Sequence, residues 1–301
     1  FTNDDVIELM SELKLEYISA KPALKKYVWR DNKAVSPPFR WYELIRFIIG
    51  SFKRIDLKEI EKKTIFDIFK PMLGSNFTQE IMSAALGGVY AQPTTVIHFK
   101  SVFKEPIKAK TYLGFTKDLI SKKKSSNKSK SKSISFKNGM QDLIDKLKEE
   151  LRENIYYEEI KNTNKNENMI ICTDAISASK IFWAETDIAN ELKKIKYNSM
   201  TTSTVITNKK INYLSNAFGL VIPPEANMRS LGILSNCSIF TNRTKDENSF
   251  SYTFLTKNEK THSTIKEIIQ DEIQLISELQ PSNIIHIESI KWDQGIPVYD
   301  L

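Results

Sequence analysis

Glycine is scarce in this chain. Its 301 residues include 9 glycines, and none fall in the GxGxxG spacing that lets backbone amides at a helix N-terminus cradle a dinucleotide's diphosphate. Cysteine is scarcer still. With only Cys172 and Cys237, a disulfide scaffold is excluded, no zinc-like cluster can be read, and a reducing compartment is expected. The three histidines, His98, His262 and His286, are scattered and form no Cys-His or Ser-His-Asp pattern. No apolar run reaches the roughly 18 residues that a membrane span needs, and no signal peptide is evident. The expectation is a cytoplasmic chain that does not cross a bilayer.

The composition is 41% hydrophobic and 10% aromatic, that of a folded protein long enough for two domains. The formal charge is +7, and much of the excess lies between Ser121 and Ser133, where six lysines occur without an acidic or apolar residue. This segment reads as a solvated loop, since it cannot offset its ordering entropy by burial; contact with anionic lipid is the alternative. Nucleic acid is not expected as a partner, because no arginine or aromatic residue accompanies these lysines. A second basic stretch has another character. Phe39 to Ile49 combines bulky apolar groups with Arg40 and Arg46, and Lys53 and Arg54 follow. That composition suits an interfacial helix and equally a buried or substrate-channel helix. Peripheral contact with the cytoplasmic membrane and a homodimer both remain open.

Helical spacing of Val6, Leu9, Met10 and Leu13 predicts a first helix from Asp4 to Leu15. Tyr27 to Val35 reads as a hairpin, and Pro37-Pro38 launches the Trp41 helix. Further helices are predicted over 56–62, 65–73 and 76–86, with Thr64 capping the second of these and Gly87-Gly88 ending the third. Another helix follows the turn 136–139. Strands are predicted over 155–160, 169–173, 202–207, 231–240, 249–256 and 284–292, with Asp174 as a cap and a last helix from Ile265 to Leu279. The fold class is α+β, helices dominating the first half and strands the second.

Several segments, in order, resemble the FAD-dependent protoporphyrinogen and coproporphyrinogen oxidases of the flavin amine oxidase superfamily. Glu12-Leu13-Lys14-Leu15 is similar to an early helix end, with Lys14 in place of glycine. Tyr27 to Pro38 resembles a hairpin followed by proline. Leu86 to Ala91 resembles a substrate-side turn, and Phe136 to Met140 a helix entry, with Asn138 in place of a glycine. The sharper matches come later: Phe218-Gly219-Leu220-Val221-Ile222-Pro223, then Leu231 to Phe240 with Arg243, then Trp292 with Gly295 to Tyr299. The family's glycine-rich opening and its closing segment over the flavin have no counterpart, so truncation at both ends is expected.

The resemblance implies an amine oxidase-like FAD-linked oxidoreductase with a mixed-sheet substrate domain, a mostly helical membrane-side domain and an incomplete FAD-binding domain. The implied segments are 1–135 (helical and substrate side, with the lysine-rich loop 121–133), 136–183 (partial FAD-binding), 184–290 (substrate-binding sheet) and 291–301 (start of the return to the FAD domain). The implied reaction is stepwise oxidation of a porphyrinogen to the porphyrin in heme biosynthesis, with FAD taking hydride equivalents and dioxygen leaving as hydrogen peroxide. A non-catalytic tetrapyrrole binder, or another enzyme of the superfamily, is the alternative. The resemblance places Phe218 and Val221 against the macrocycle and cations such as Lys21 and Arg30 near its propionates. It places Ile160, Thr173, Ala175, Trp292 and Tyr299 beside FAD. It assigns no catalytic side chain and no metal.

Overall fold

The computed structural model describes residues 4–36, 39–56, 58, 60–104, 107–126, 133–159, 168–182, 185–258 and 263–299. Ile160, His262, Pro37-Pro38, residues 127–132 of the lysine-rich segment and residues 161–167 lie outside them. The strands are β1 (Tyr17–Ser19), β2 (Lys25–Arg30), β3 (Lys33–Val35), β4 (Ile134–Phe136), β5 (Tyr197–Thr207), β6 (Ala217–Val221), β7 (Ser230–Ser235), β8 (Phe250–Lys257) and β9 (Ile284–Pro297). A seven-stranded mixed sheet runs in the order β3-β2-β6-β7-β8-β5-β9, and β1 pairs with β4 separately. Within the large sheet only β2 and β6 are parallel; the other neighbours are antiparallel. The sheet therefore draws on the first, third and last of the four sequence segments.

Alternation builds its core. Tyr252 and Phe254 of β8 point inward with Val205, Leu220 and Ile233, as period-two burial requires. Helix α12 (Ile265–Ile276) covers them with Ile269, Ile273 and Ile276. Its start is fixed by Thr264, whose hydroxyl accepts from Glu267 N while Glu267 accepts from Thr264 N, a reciprocal cap.

The remaining helices are α1 (Asp4–Glu12), α2 (Trp41–Ser51), α3 (Ile65–Leu73), α4 (Ser75–Phe77), α5 (Ser83–Tyr90), α6 (Phe99–Val102), α7 (Tyr112–Ser126), α8 (Gln141–Glu150), α9 (Ala175–Ile181), α10 (Thr186–Lys193) and α11 (Asn236–Ile239). A second core joins α3 to α7 around the rings of Phe69, Phe99, Phe103 and Phe115. The capping box predicted at Thr64 and Asp67 is present. The hairpin turn is tighter than the four residues expected. Asp31 and Asn32 both adopt positive φ, 53° and 56°, which suits the twist of a two-residue hairpin loop.

Several expectations are corrected. Among the described residues of 56–62, Ile60–Lys62 form a short 3-10 turn where a helix was expected. The third predicted helix runs on to Tyr90 through a π-helical turn at Thr78–Met82 and ends at Ala91, φ 52°. Gly87-Gly88 does not stop it. Gly87 lets α5 approach the segment after β6, since a Cβ there would lie 2.9 Å from Pro224 Cγ, whereas one on Gly88 would make an ordinary 3.5 Å contact with Val221 Cγ1. Residues 155–159 and 169–173 form no strand; Tyr157 and Ile170 are 84% and 90% exposed. The run 231–240 is strand only to Ser235, after which α11 begins. Asn236 turns the chain there, donating to Ser251 Oγ and Thr253 Oγ1, each at 3.0 Å. Within the lysine-rich segment, Ser121 to Ser126 continue α7 instead of forming a loop.

Buried tyrosines link this packing to pH. Burial pushes the phenols of Tyr112 and Tyr252 up to about 12, and Tyr213 is raised as well. A phenol whose folded pKa exceeds its unfolded value contributes stability that is intact below the unfolded pKa and lost as pH rises towards the folded one. Urea midpoints measured across alkaline pH are therefore expected to fall from about pH 10 upward. Replacing Tyr112 and Tyr252 with phenylalanine should flatten that decline.

Candidate functional site

The ends of α5, β6 and β8 approach the start of β5. The C-terminal end of α5 arrives from one side, and a buried polar network holds the helix at its N-terminal end. Ser83 Oγ and Thr94 Oγ1 are 2.9 Å apart, Thr94 N donates to Ser83 Oγ, and Thr94 Oγ1 donates to Thr78 O in the π turn. Ser83 also reaches Glu225, just beyond β6, at 3.0 Å. A π turn displaces the helical register by one residue, and such turns gather at functional sites.

Between these elements lies a half-open cavity of about 490 Å³, lined by Ala91, Gln92, Tyr197–Met200, Pro224, Glu225, Lys257 and Asn258. Its rim is polar and fixed. Asn258 Nδ2 donates to Ser199 Oγ at 2.9 Å, its Oδ1 accepts from Thr201, and Lys257 Nζ donates to Pro224 O at 2.7 Å. Gln92, buried at 6% exposure, accepts from Tyr299 N at 3.0 Å. Neither Gln92 nor Asn258 was singled out from the sequence. Polar residues in loops and strand ends carry no periodic signal, so only the fold brings them together.

The residues expected beside a cofactor partly converge here. Ala175 N donates to Tyr197 Oη at 2.9 Å, and Tyr197 pairs with Pro297, two residues before Tyr299. The Tyr299 ring meets Tyr90 edge-on at 4.7 Å, and its carbonyl accepts from His98 N. Thr173 sits beside Asp174, its hydroxyl 3.4 Å from Oδ2. Trp292 stands on the outer strand β9, half-exposed, its Nε1 donating to Thr202 Oγ1 at 2.9 Å. Ile160 lies outside the described residues.

The residues expected beside a substrate are more dispersed. Val221 packs with the helical core under Gly88. Phe218 occupies the irregular register between β2 and β6, with Lys26 Nζ 5.7 Å from its ring centre. Lys21 is exposed and its amide donates to Ile239 O. Arg30 is placed otherwise than a propionate-binding cation requires. It is 4% exposed, makes a bidentate pair with Glu43, and its Nε meets Glu80 at 2.5 Å. Burial raises the Glu43 carboxyl, but the Arg30 hydrogen bonds and charge outweigh it and leave the group below its ordinary range. A guanidinium so engaged is a fixture of the packing.

No protein-family model matches the sequence, and no curated protein does. Solved structures match nearly the whole chain. A crystal structure described as a "putative protoporphyrinogen oxidase" from Exiguobacterium sp. 255-15 is 11% identical, superposes with a TM-score of 0.73, and covers 98% of this chain and 74% of its own. Reduced UDP-galactopyranose mutase is 14% identical at a TM-score of 0.69, over 98% of this chain and 71% of its own. Putrescine oxidase bound to putrescine is 8% identical at 0.59, over 100% and 75%. The chain shares the fold of these proteins. At these identities the likeness is one of fold.

The described residues do not fit the diphosphate of FAD. Among them no glycine-rich turn opens a helix. The helix that starts nearest the site, α9, is capped by Asp174, whose carboxylate accepts from Ser177 N at 2.9 Å. Hydrogen bonds from Ser177 hold that carboxyl below its usual range, so it is anionic at neutral pH. The N-terminus of that helix already holds a negative charge.

Proposed function

We propose that these residues form the substrate-side body of a flavin-dependent oxidoreductase of the amine oxidase superfamily, with a porphyrinogen as substrate. The observation that carries this reading is the superposition of 98% of the chain, at a TM-score of 0.73, on the structure described as a protoporphyrinogen oxidase. The ordered motifs around Phe218, Val221, Trp292 and Tyr299 support the same substrate class. FAD is the cofactor this reading requires. This chain matches 74% and 71% of the length of the two neighbours.

The wall itself suits a large apolar ring with a polar edge. The cavity offers Met200, Ala91 and Pro224 as apolar surface and Gln92, Asn198 and Asn258 as orienting groups, the mixture typical of small-molecule sites. A second reading, a tetrapyrrole binder without electron transfer, is supported by the lack of a glycine-rich turn opening a helix among the described residues. The two are separated by adding a porphyrinogen and dioxygen to the protein expressed from its whole coding sequence. Porphyrin and hydrogen peroxide formation above the spontaneous rate supports the oxidase. Porphyrin binding without turnover supports the binder.

A further inference from the structure

We propose that a second cavity, on the α12 face of the large sheet, binds a guanine nucleotide. It measures about 830 Å³ and lies between the β2–β3 hairpin, the loop that follows β5 and the C-terminal end of α12. It shares no lining residue with the cavity beside Gln92. Trp29, which lines it, belongs to the core beneath α12, whereas its neighbour Val28 belongs to the helical core. Alternation along β2 thus sets this cavity on the face that α12 covers. Its size is that of a small-molecule site.

The walls are fixed in advance of any ligand. Thr207 Oγ1 donates to Lys209 O at 2.7 Å, and Ile211 N donates to Tyr252 Oη at 2.8 Å. Asn283, just beyond α12, donates from Nδ2 to Asn208 Oδ1 at 3.0 Å, and its carbonyl accepts from Asn208 N at 2.9 Å. The loop carrying Lys209 and Lys210 is therefore pinned both to β8 and to the chain after α12. Trp29, Ala34, Tyr213, Phe250 and Leu279 supply an apolar, largely aromatic surface. The Tyr213 ring is held edge-on against Tyr27, 5.1 Å between centres. Such a surface accepts the face of a planar ring.

Charge and hydrogen bonding select the ligand. Lys33, Lys209 and Lys210 border the cavity, are exposed, and enter no ion pair among the described residues. Three ammonium groups around one cavity match phosphate. The end of α12 offers the opposite chemistry. Leu279 N donates to Ser277 Oγ at 3.2 Å and Gln280 N to Asn283 Oδ1 at 3.0 Å. In a longer helix these amides would meet Leu275 O and Ile276 O, so both carbonyls are left open to a ligand. Glu278 lies next to them and is the one acid in the lining. Carbonyls and a carboxylate only accept hydrogen bonds. Guanine presents two adjacent donors to such a wall, N1–H and the 2-amino group, whereas adenine presents an acceptor at N1 and has no 2-amino group. The ring lies against the aromatic surface, the phosphates meet the lysines, and the donor edge faces α12. The inference stands apart from the reaction proposed above.

Equilibrium dialysis of labelled GDP against the protein purified from its whole coding sequence tests this, with ADP, guanosine and inorganic phosphate as competitors. GDP is expected to bind, and each competitor to be weaker by at least about tenfold, the worth of one charge-assisted contact. Lys209→Glu with Lys210→Glu should weaken GDP at least about tenfold, since two attractions become repulsions. Glu278→Gln should bring ADP level with GDP, because the new amide nitrogen is a donor. All three positions are exposed, so the melts without nucleotide and the content of bound flavin should match wild type. Failure of GDP to bind would overturn the proposal. Binding that neither variant alters would place the nucleotide elsewhere and overturn it too. Competition by inorganic phosphate as strong as by GDP would reveal a site for anions alone, and equal competition by ADP at the wild-type protein would remove the guanine assignment.

Discussion

Arg30→Met is expected to lower the stability of this protein by about 3–5 kcal/mol, the usual cost of breaking a buried ion pair from one side. The substitution leaves Glu43 at 5% side-chain exposure without its bidentate partner. Glu80 suffers less, because its side chain is 37% exposed and can be hydrated. Urea unfolding at neutral pH reads the loss. Adding Glu43→Leu to Arg30→Met should recover much of it, since an apolar pair of similar volume carries no uncompensated charge. Recovery in the double variant would show that the penalty comes from the stranded carboxylate. If the double variant were as unstable as Arg30→Met, the lost packing of the arginine stem would account for most of the destabilisation. The pair also ties α2 to β2, and β2 lies beside β6, so the single variant should loosen the exposed helix and the strand carrying Phe218 and Val221 together.

Gly219→Ala is the second substitution with a large expected effect. A Cβ there would lie 2.1 Å from Ile233 O and 3.2 Å from Leu234 Cα, both on the backbone of β7. Backbone cannot rotate away as a side chain can, so β6 must shift from β7. Overpacking of this kind costs about 1–3 kcal/mol and at times more, and the upper end is expected because the obstacle is a strand. The same shift would move Leu220 out of the sheet core and Val221 out of the helical one. A lowered urea midpoint together with weaker porphyrin binding is the predicted pair of results. An unchanged midpoint would mean that β6 is free to adjust.

These two residues illustrate what the sequence discloses. Phe218-Gly219-Leu220-Val221 stands out only through the family resemblance, whereas β8 and α12 are legible from their periods of two and about 3.6. Thr64 and Asp67 announce a helix start because a cap is a local arrangement of four residues. Features decided by tertiary contact are hidden. Gly87-Gly88 reads as a helix stop, yet the helix runs on through both, and the glycine at 87 is explained by Pro224, which fills the space a side chain would need. Met169 to Thr173 has the composition of a buried strand but is without a strand partner among the described residues. Arg30 reads as a surface cation until Glu43 and Glu80 are placed around it, from positions 13 and 50 residues away. The orientation of α2 is hidden for the same reason: its amphipathic pattern is visible, but the face that turns inward is chosen by that ion pair. The candidate cavity was the least legible part, since Gln92, Asn198 and Asn258 come from three separate elements.

The most direct test of the account is the visible absorbance of the protein purified from its whole coding sequence, recorded before and after anaerobic addition of a porphyrinogen. The account predicts the spectrum of a bound oxidised flavin that bleaches as porphyrin forms. A protein that stays colourless after incubation with FAD, or whose flavin is untouched by porphyrinogen, would contradict it.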